Sequence, residues 1–209
     1  LFLKKYEEWL RSKGNKETTL SFQFRTLRAV FNRAIEENVV SKEKNPFEQF
    51  KVSKFNTKTK KRALTKEDMM KIITTETIQA TTLRTFTRDV FTFAYLCGGI
   101  SFVDMANLTL DNIYKERIRY IRQKTHGEIN LKLCDQAKEI IEKYISYREK
   151  ATYLFPILDA RLHKTPMQKK NRVRKVLARI NKELKVLASE LEIKTDVTTY
   201  VAKHHTISI

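Results

Sequence analysis

Apolar residues recur along this chain at two different periods, and the switch between them divides it. Phe2, Leu3, Tyr6, Trp9 and Leu10 stand at helical spacing ahead of Gly14, a residue suited to the left-handed position past a helix end. A second helix is predicted from about Thr18 to Glu37. Leu20, Phe24, Leu27, Phe31, Ala34 and Ile35 form its apolar face and leave Arg25, Arg28 and Arg33 for solvent or a partner. Asn45-Pro46 breaks the pattern, so residues 1–50 read as one small helical domain.

The stretch KVSKFNTKTKKR, residues 51–62, holds six basic residues and no acidic one, with almost nothing to bury. It reads as a basic linker, either solvated or laid along a phosphate backbone. A second domain is expected over 63–209. Its first helix begins at LTKEDMMKII, where Thr65 and Asp68 have the spacing of a helix cap. Leu83, Phe86, Val90, Phe93, Ala94 and Cys97 mark a strongly apolar helix ending at Gly98-Gly99, and SFVDMANL predicts a short one.

The period then changes to two. In RIRYIRQKTHGEINLKL, Ile118 and Tyr120 precede a tight segment at Thr125-His126-Gly127, and Ile129, Leu131 and Leu133 follow it, which predicts a β-hairpin. Helices are expected at about 135–149 and 166–191. The second has Val173, Leu177, Ile180, Leu184, Leu187 and Leu191 as its apolar stripe, and its other face carries Lys169, Lys170, Arg172, Arg174, Lys175, Arg179, Lys182 and Lys185. The chain is therefore mainly α, with a small β-hairpin or sheet.

Charge sharpens the picture. Among 209 residues, 42 Lys and Arg oppose 24 Asp and Glu, a formal net charge of +18 that points to a polyanion, most simply nucleic acid. An anionic membrane is the rival, but no apolar run approaches the roughly 18 residues of a spanning helix. A basic RNA-binding protein is a weaker reading, because the aromatic sheet motifs of common RNA modules are lacking. Cys97 and Cys134 are isolated and read as reduced core thiols in a cytoplasmic protein. The chain starts at Leu1 and places charges inside its first apolar pattern, so it reads as cut from a longer chain and not as opening on a signal peptide. Four glycines form no phosphate loop, adjacent His204 and His205 point apart on a helix, and neither a cofactor nor a metal site is expected.

The order of these parts carries a resemblance. A small helical domain is followed by a basic linker and by YLCGGISFVDMANLTLDNI. A hairpin with RQKTHGEI, then YLFPIL, a long basic helix and TTYVAKHH complete the series. Together they resemble a tyrosine recombinase, of the phage-integrase type found in mobile elements of Bacteroidetes, over nearly the whole chain. The resemblance implies a SAM-like core-binding domain and a catalytic domain of the DNA breaking-rejoining fold, incomplete at its C-terminus. It implies a clamp on double-stranded DNA, a tetramer on that DNA, and strand cleavage through a 3′-phosphotyrosyl link without a cofactor.

Residue by residue, it places the proton-donating lysine at Lys124. It puts Gly98, Gly99 or Ser101 where a first phosphate-gripping arginine is expected, with Arg88 upstream as a substitute. In YVAKHH it gives Tyr200 a histidine's position, Lys203 that of the second arginine and His204 that of the following histidine, with His205 a bystander. Lysine keeps the charge but loses the planar fork. The nucleophilic tyrosine is expected beyond these positions, so the 209 residues should bind DNA without cutting it. The alternative is a catalytically inactive relative acting as a DNA-binding regulator or architectural factor. Arg25, Arg28, Lys60, Lys61, Arg172, Arg174 and Lys175 are the candidate DNA contacts.

Overall fold

The computed structural model describes residues 2–58, 63–76, 81–146 and 152–204, and the chain divides into two compact units, 1–61 and 62–209. Lys60, Lys61 and His205 lie outside the described residues.

In the first unit, helix α1 (Phe2–Ser12) buries Leu3 and Leu10 against helix α2 (Glu17–Glu36), which contributes Leu20 and Phe24. Gly14 closes α1 at φ +74 with its amide on the Arg11 carbonyl; a Cβ there would meet no atom within 4 Å, so conformation and not space selects glycine. Two expectations change. Phe2 and Trp9 are 71% and 54% exposed, because α1 has more apolar positions than one neighbouring helix can cover. Residues 51–56 are not a bare tether: a short 3-10 turn at Val52–Lys54 drives Val52 and Phe55 into the core, where Phe55 stacks on Phe24 with ring centroids 5.3 Å apart. Two apolar side chains among six basic ones suffice to anchor that part.

The second unit begins with α3 (Lys66–Thr74), whose N-cap Thr65 accepts a hydrogen bond from the Asp68 amide. Helix α4 (Thr82–Leu96) is its axis. Thr87 and every residue from Asp89 to Ala94 are buried, as expected of a helix surrounded by others. After α4 come α5 (Phe102–Ala106) and an antiparallel sheet of β1 (Ile113–Tyr114), β2 (Arg117–Ile121) and β3 (Glu128–Lys132), in the order β1-β2-β3. Ile118 pairs with Leu131 and Tyr120 with Ile129, which puts the expected apolar residues of the hairpin on one inward face.

Helices α6 (Asp135–Ser146) and α7 (Pro166–Glu190) pack on α4. α7 starts with a complete capping box between Thr165 and Gln168 and with Pro166 in its first turn. Its buried stripe is Val173, Val176, Ile180, Leu184, Leu187 and Ala188, while Leu177 and Leu191 are only partly covered. Arg84 ties the first turn of α4 to α7, bonding Glu183 at 2.8 Å and Glu190 at 3.0 Å. Cys97 is buried, and burial pushes its thiol up to about 12. Cys134 is exposed and so is not a core thiol; it follows the last strand and faces outward. Among the described residues no helix is long and apolar enough to cross a membrane.

Candidate functional site

The C-terminal end of α4 passes directly against the sheet. Gly98 and Gly99 turn the chain at φ +67 and +74, and a Cβ on Gly98 would lie 3.4 Å from the Leu131 side chain on β3. Ser101 then caps α5: its hydroxyl accepts from the Asp104 amide and donates to Asp104 Oδ2 at 2.7 Å. The other carboxylate oxygen, Oδ1, accepts from the backbone amide of Gln123 at 2.8 Å. One buried carboxylate thus joins the start of α5 to the hairpin connection.

That connection carries Lys124. It is closed by the Arg122 amide on the Gly127 carbonyl at 3.0 Å and the His126 amide on the Arg122 carbonyl at 2.9 Å, with His126 left-handed at φ 53. The Lys124 side chain is exposed at the tip and has no ion-pair partner among the described residues. Beside it a cleft of about 540 Å³ is lined by Asp104, Asn107, Asn112, Arg119, Tyr120 and Gln123. Tyr120 faces inward, and its phenol is pushed up to about 12, chiefly by burial and then by the Asp104 charge. It stays a neutral hydrogen-bonding group at any physiological pH.

The segment after α7 returns to the same helix. Val197, Val201 and Ala202 are buried, the Thr199 amide bonds Asn181 Oδ1 at 3.0 Å, and the 3-10 turn Val201–His204 packs on α4. Lys203 and His204 ride on that turn, and Tyr200 immediately before it is exposed. The chain therefore brings the Gly98-Gly99 turn and the Lys124 hairpin together through Leu131 and Asp104, and seats the Lys203 turn on the helix that leads into them.

Arg88 has other work. Its Nη2 and Nε bond Asp89 Oδ1 at 2.8 and 3.1 Å, and its Nη1 bonds the Thr75 carbonyl at 2.9 Å. Ten residues of helix separate it from Gly98, about 15 Å of rise. It belongs to a cluster around the buried Asp89, whose Oδ2 also accepts from Lys143 at 2.6 Å and from Tyr144 at 2.9 Å. Arg88 does not turn toward the glycine corner, because an adjacent buried carboxylate needs its charge.

The candidate contact residues also sort by partner. Arg172 bonds the Ile157 carbonyl at 3.1 Å and is half-buried, so it braces α7 from within. Arg25 folds back on the Ser21 hydroxyl at 3.0 Å. Arg28, Arg174 and Lys175 are exposed and unpaired among the described residues. Those residues contain no cluster of three or more metal-ligating side chains. Asp104 was not singled out from the sequence; the S-x-x-D spacing of Ser101 and Asp104, which suits a helix cap, was the one signal it offered.

Residues 1–53 match the phage integrase SAM-like domain. Over 98% of its length the chain superposes on a lambda integrase dimer bound to a COC′ core site, with a TM-score of 0.71, 16% identity and 70% of that chain covered. The Tn1549 transposon integrase in complex with circular intermediate DNA matches with a TM-score of 0.68, 16% identity, and 98% and 70% coverage of the two chains. A lambda integrase tetramer bound to a Holliday junction matches at 0.61 and 16% identity, over 87% of this chain and 50% of that one. No curated protein matches by sequence.

Proposed function

We propose, from the premise that this chain has the fold of the tyrosine-recombinase integrases and opens with an integrase SAM-like domain, that it binds double-stranded DNA and belongs to a protein that breaks and rejoins DNA strands. The observation that carries this reading is Lys124, an unpaired ammonium presented on a hairpin tip that a buried carboxylate fixes to the end of the central helix.

In the reaction a tyrosine oxygen bonds to phosphorus as the bond from phosphorus to the 5′ oxygen breaks, leaving a 3′-phosphotyrosyl link. Lys124 gives its proton to the departing 5′ oxygen, and His204 is the candidate to take up the tyrosine's proton. Lys203 supplies charge to the phosphate through one ammonium instead of a two-pronged fork. On this reading Tyr200 takes a phosphate-side role as a hydrogen-bond donor and is not the nucleophile. Assembly as a tetramer on DNA follows from the same reading.

A second reading, a DNA-binding protein without cleavage, is favoured by one feature. Gly98, Gly99 or Ser101 stands where an arginine is expected, and both glycines hold a left-handed conformation that resists any side chain.

The test uses the protein of natural reading frame with a nicked duplex that traps the covalent product, followed by denaturing electrophoresis. A shifted protein–DNA band that falls by roughly 10²–10⁴ in rate in Lys124→Ala, with duplex binding retained, is the expected result. Binding without any covalent band would replace the first reading by the second; absence of DNA binding would overturn both.

A further inference from the structure

The sheet that carries Lys124 has a second face. Ile118, Tyr120, Ile129 and Leu131 fill its inward side, so the alternate positions point outward: Tyr114 from β1, Arg117, Arg119 and Ile121 from β2, and Glu128, Asn130 and Lys132 from β3. Tyr114 is 54% exposed, with Lys115 Nζ 5.2 Å and the Arg119 guanidinium 5.9 Å from its ring centre. Arg117 lies across from Lys132 and is steadied by Asn130, its Nε donating to Asn130 Oδ1 at 2.6 Å.

The charge on this face is one-sided. Its acids are Glu128, at the hairpin end, and Glu116 in the β1–β2 turn, and Glu116 is neutralised by Lys138 at 2.6 Å. Lys115, Arg119 and Lys132 form no ion pair among the described residues, although Lys132 lies within reach of the Glu116 charge. Two like charges directly opposite across a sheet, Arg117 and Lys132, weaken the pairing. An external anion removes that cost.

We propose that the outward face of the β1-β2-β3 sheet is a second phosphate-binding surface for duplex DNA, gripping the backbone several base pairs from the phosphate that Lys124 engages. The proposal rests on the DNA-binding reading above. Its reach follows from strand geometry: Arg119 and the Arg117–Lys132 pair lie two and four residues below Ile121, about 7 and 14 Å at about 3.4 Å per residue. That equals roughly two and four steps of duplex rise, also about 3.4 Å each. Cations at that interval meet successive parts of one backbone, and the exposed Tyr114 phenol adds a hydrogen-bond donor at the far end.

The experiment measures duplex affinity by fluorescence anisotropy across a salt series for the whole chain and for the triple variant Lys115→Ser, Arg119→Ser, Lys132→Ser. Each lost phosphate contact lowers the slope of log K against log salt by about 0.9, so the triple variant is expected to lose a slope of about 2 to 3. Its binding should weaken at least roughly tenfold at low salt. Single Arg119→Ser and Lys132→Ser variants, each expected to remove a slope of about 1, carry the test if the triple variant melts early.

A triple variant that keeps the parent's slope and affinity overturns the sheet surface and leaves the DNA-binding reading standing. A parent chain that binds no duplex overturns that reading, and the proposal with it. Binding of the parent's sheet face to anionic vesicles or acidic protein, with duplex affinity unchanged in the variants, assigns the face to another partner and likewise overturns the proposal.

Discussion

Replacing Asp104 by alanine removes two hydrogen bonds at once, from the Gln123 amide at 2.8 Å and from the Ser101 hydroxyl at 2.7 Å. A bond to a charged acceptor contributes about 1.5–3 kcal/mol. Gln123 is exposed, so water recovers part of its share, which sets its loss near the lower end, about 2 kcal/mol. The Gln123 amide has no other partner among the described residues, and its protection reports the loss directly. In hydrogen exchange read by NMR, it should exchange roughly 30-fold faster in Asp104→Ala, at 1.4 kcal/mol per tenfold. Ladder amides of β2 and β3 should change far less. Asp104→Asn keeps an oxygen for Gln123 and only asks the Ser101 hydroxyl to turn, so its protection should stay within about threefold of the parent. If Gln123 exchanges at the parental rate in Asp104→Ala, the carboxylate does not hold the hairpin, and the account of how Lys124 is positioned fails.

Asp89 is 2% exposed and accepts from Arg88, Lys143 and Tyr144; Arg88 and Lys143 are only partly covered, so water recovers part of their loss, and Asp89→Ala should cost the second unit about 2–3 kcal/mol in urea unfolding followed by circular dichroism. A loss below about 1 kcal/mol would show that the cluster is solvated. Glu7 offers a pH test in the first unit. Burial alone would raise its pKa, but hydrogen bonds from Lys54 and Arg11 outweigh it and hold the carboxyl below its ordinary 4.5. A folded pKa below the unfolded one means stability that is present above about pH 4.5 and drains away as pH falls through the folded value. Trp9, the chain's only tryptophan, reports the first unit by fluorescence; Glu7→Gln should flatten this acid limb, and equal acid sensitivity in both proteins would refute the assignment.

What could be read from sequence was whatever one element decides alone. The periodicity of α2, α4 and α7 placed those helices, and period-two alternation revealed the hairpin. β1 escaped because it is two residues long and is turned by Lys115 and Glu116 at φ 43 and 61, where no glycine or asparagine signals a turn. Val52 and Phe55 were hidden by the basic residues around them. The site shows the same limit. The hairpin that carries Lys124 was legible from its alternation, but the lysine itself was singled out only by the resemblance. Asp104 was not singled out, since its partner lies nineteen residues on, and Arg88 was misjudged because its neighbour Asp89 gave no sign of being buried.

The Asp89 cluster also dictates an order of events during synthesis. Lys143 and Tyr144, which complete the donors around that carboxylate, lie 54 and 55 residues downstream of it. Until they leave the ribosome, about 3–11 s later at about 5–20 residues per second, Asp89 has Arg88 for a partner but its Oδ2 lacks both of its donors. The first unit, whose core is complete by Phe55, is free to fold in the meantime. α4 therefore completes its packing only once α6 has been made, and during that interval its apolar face is open to aggregation.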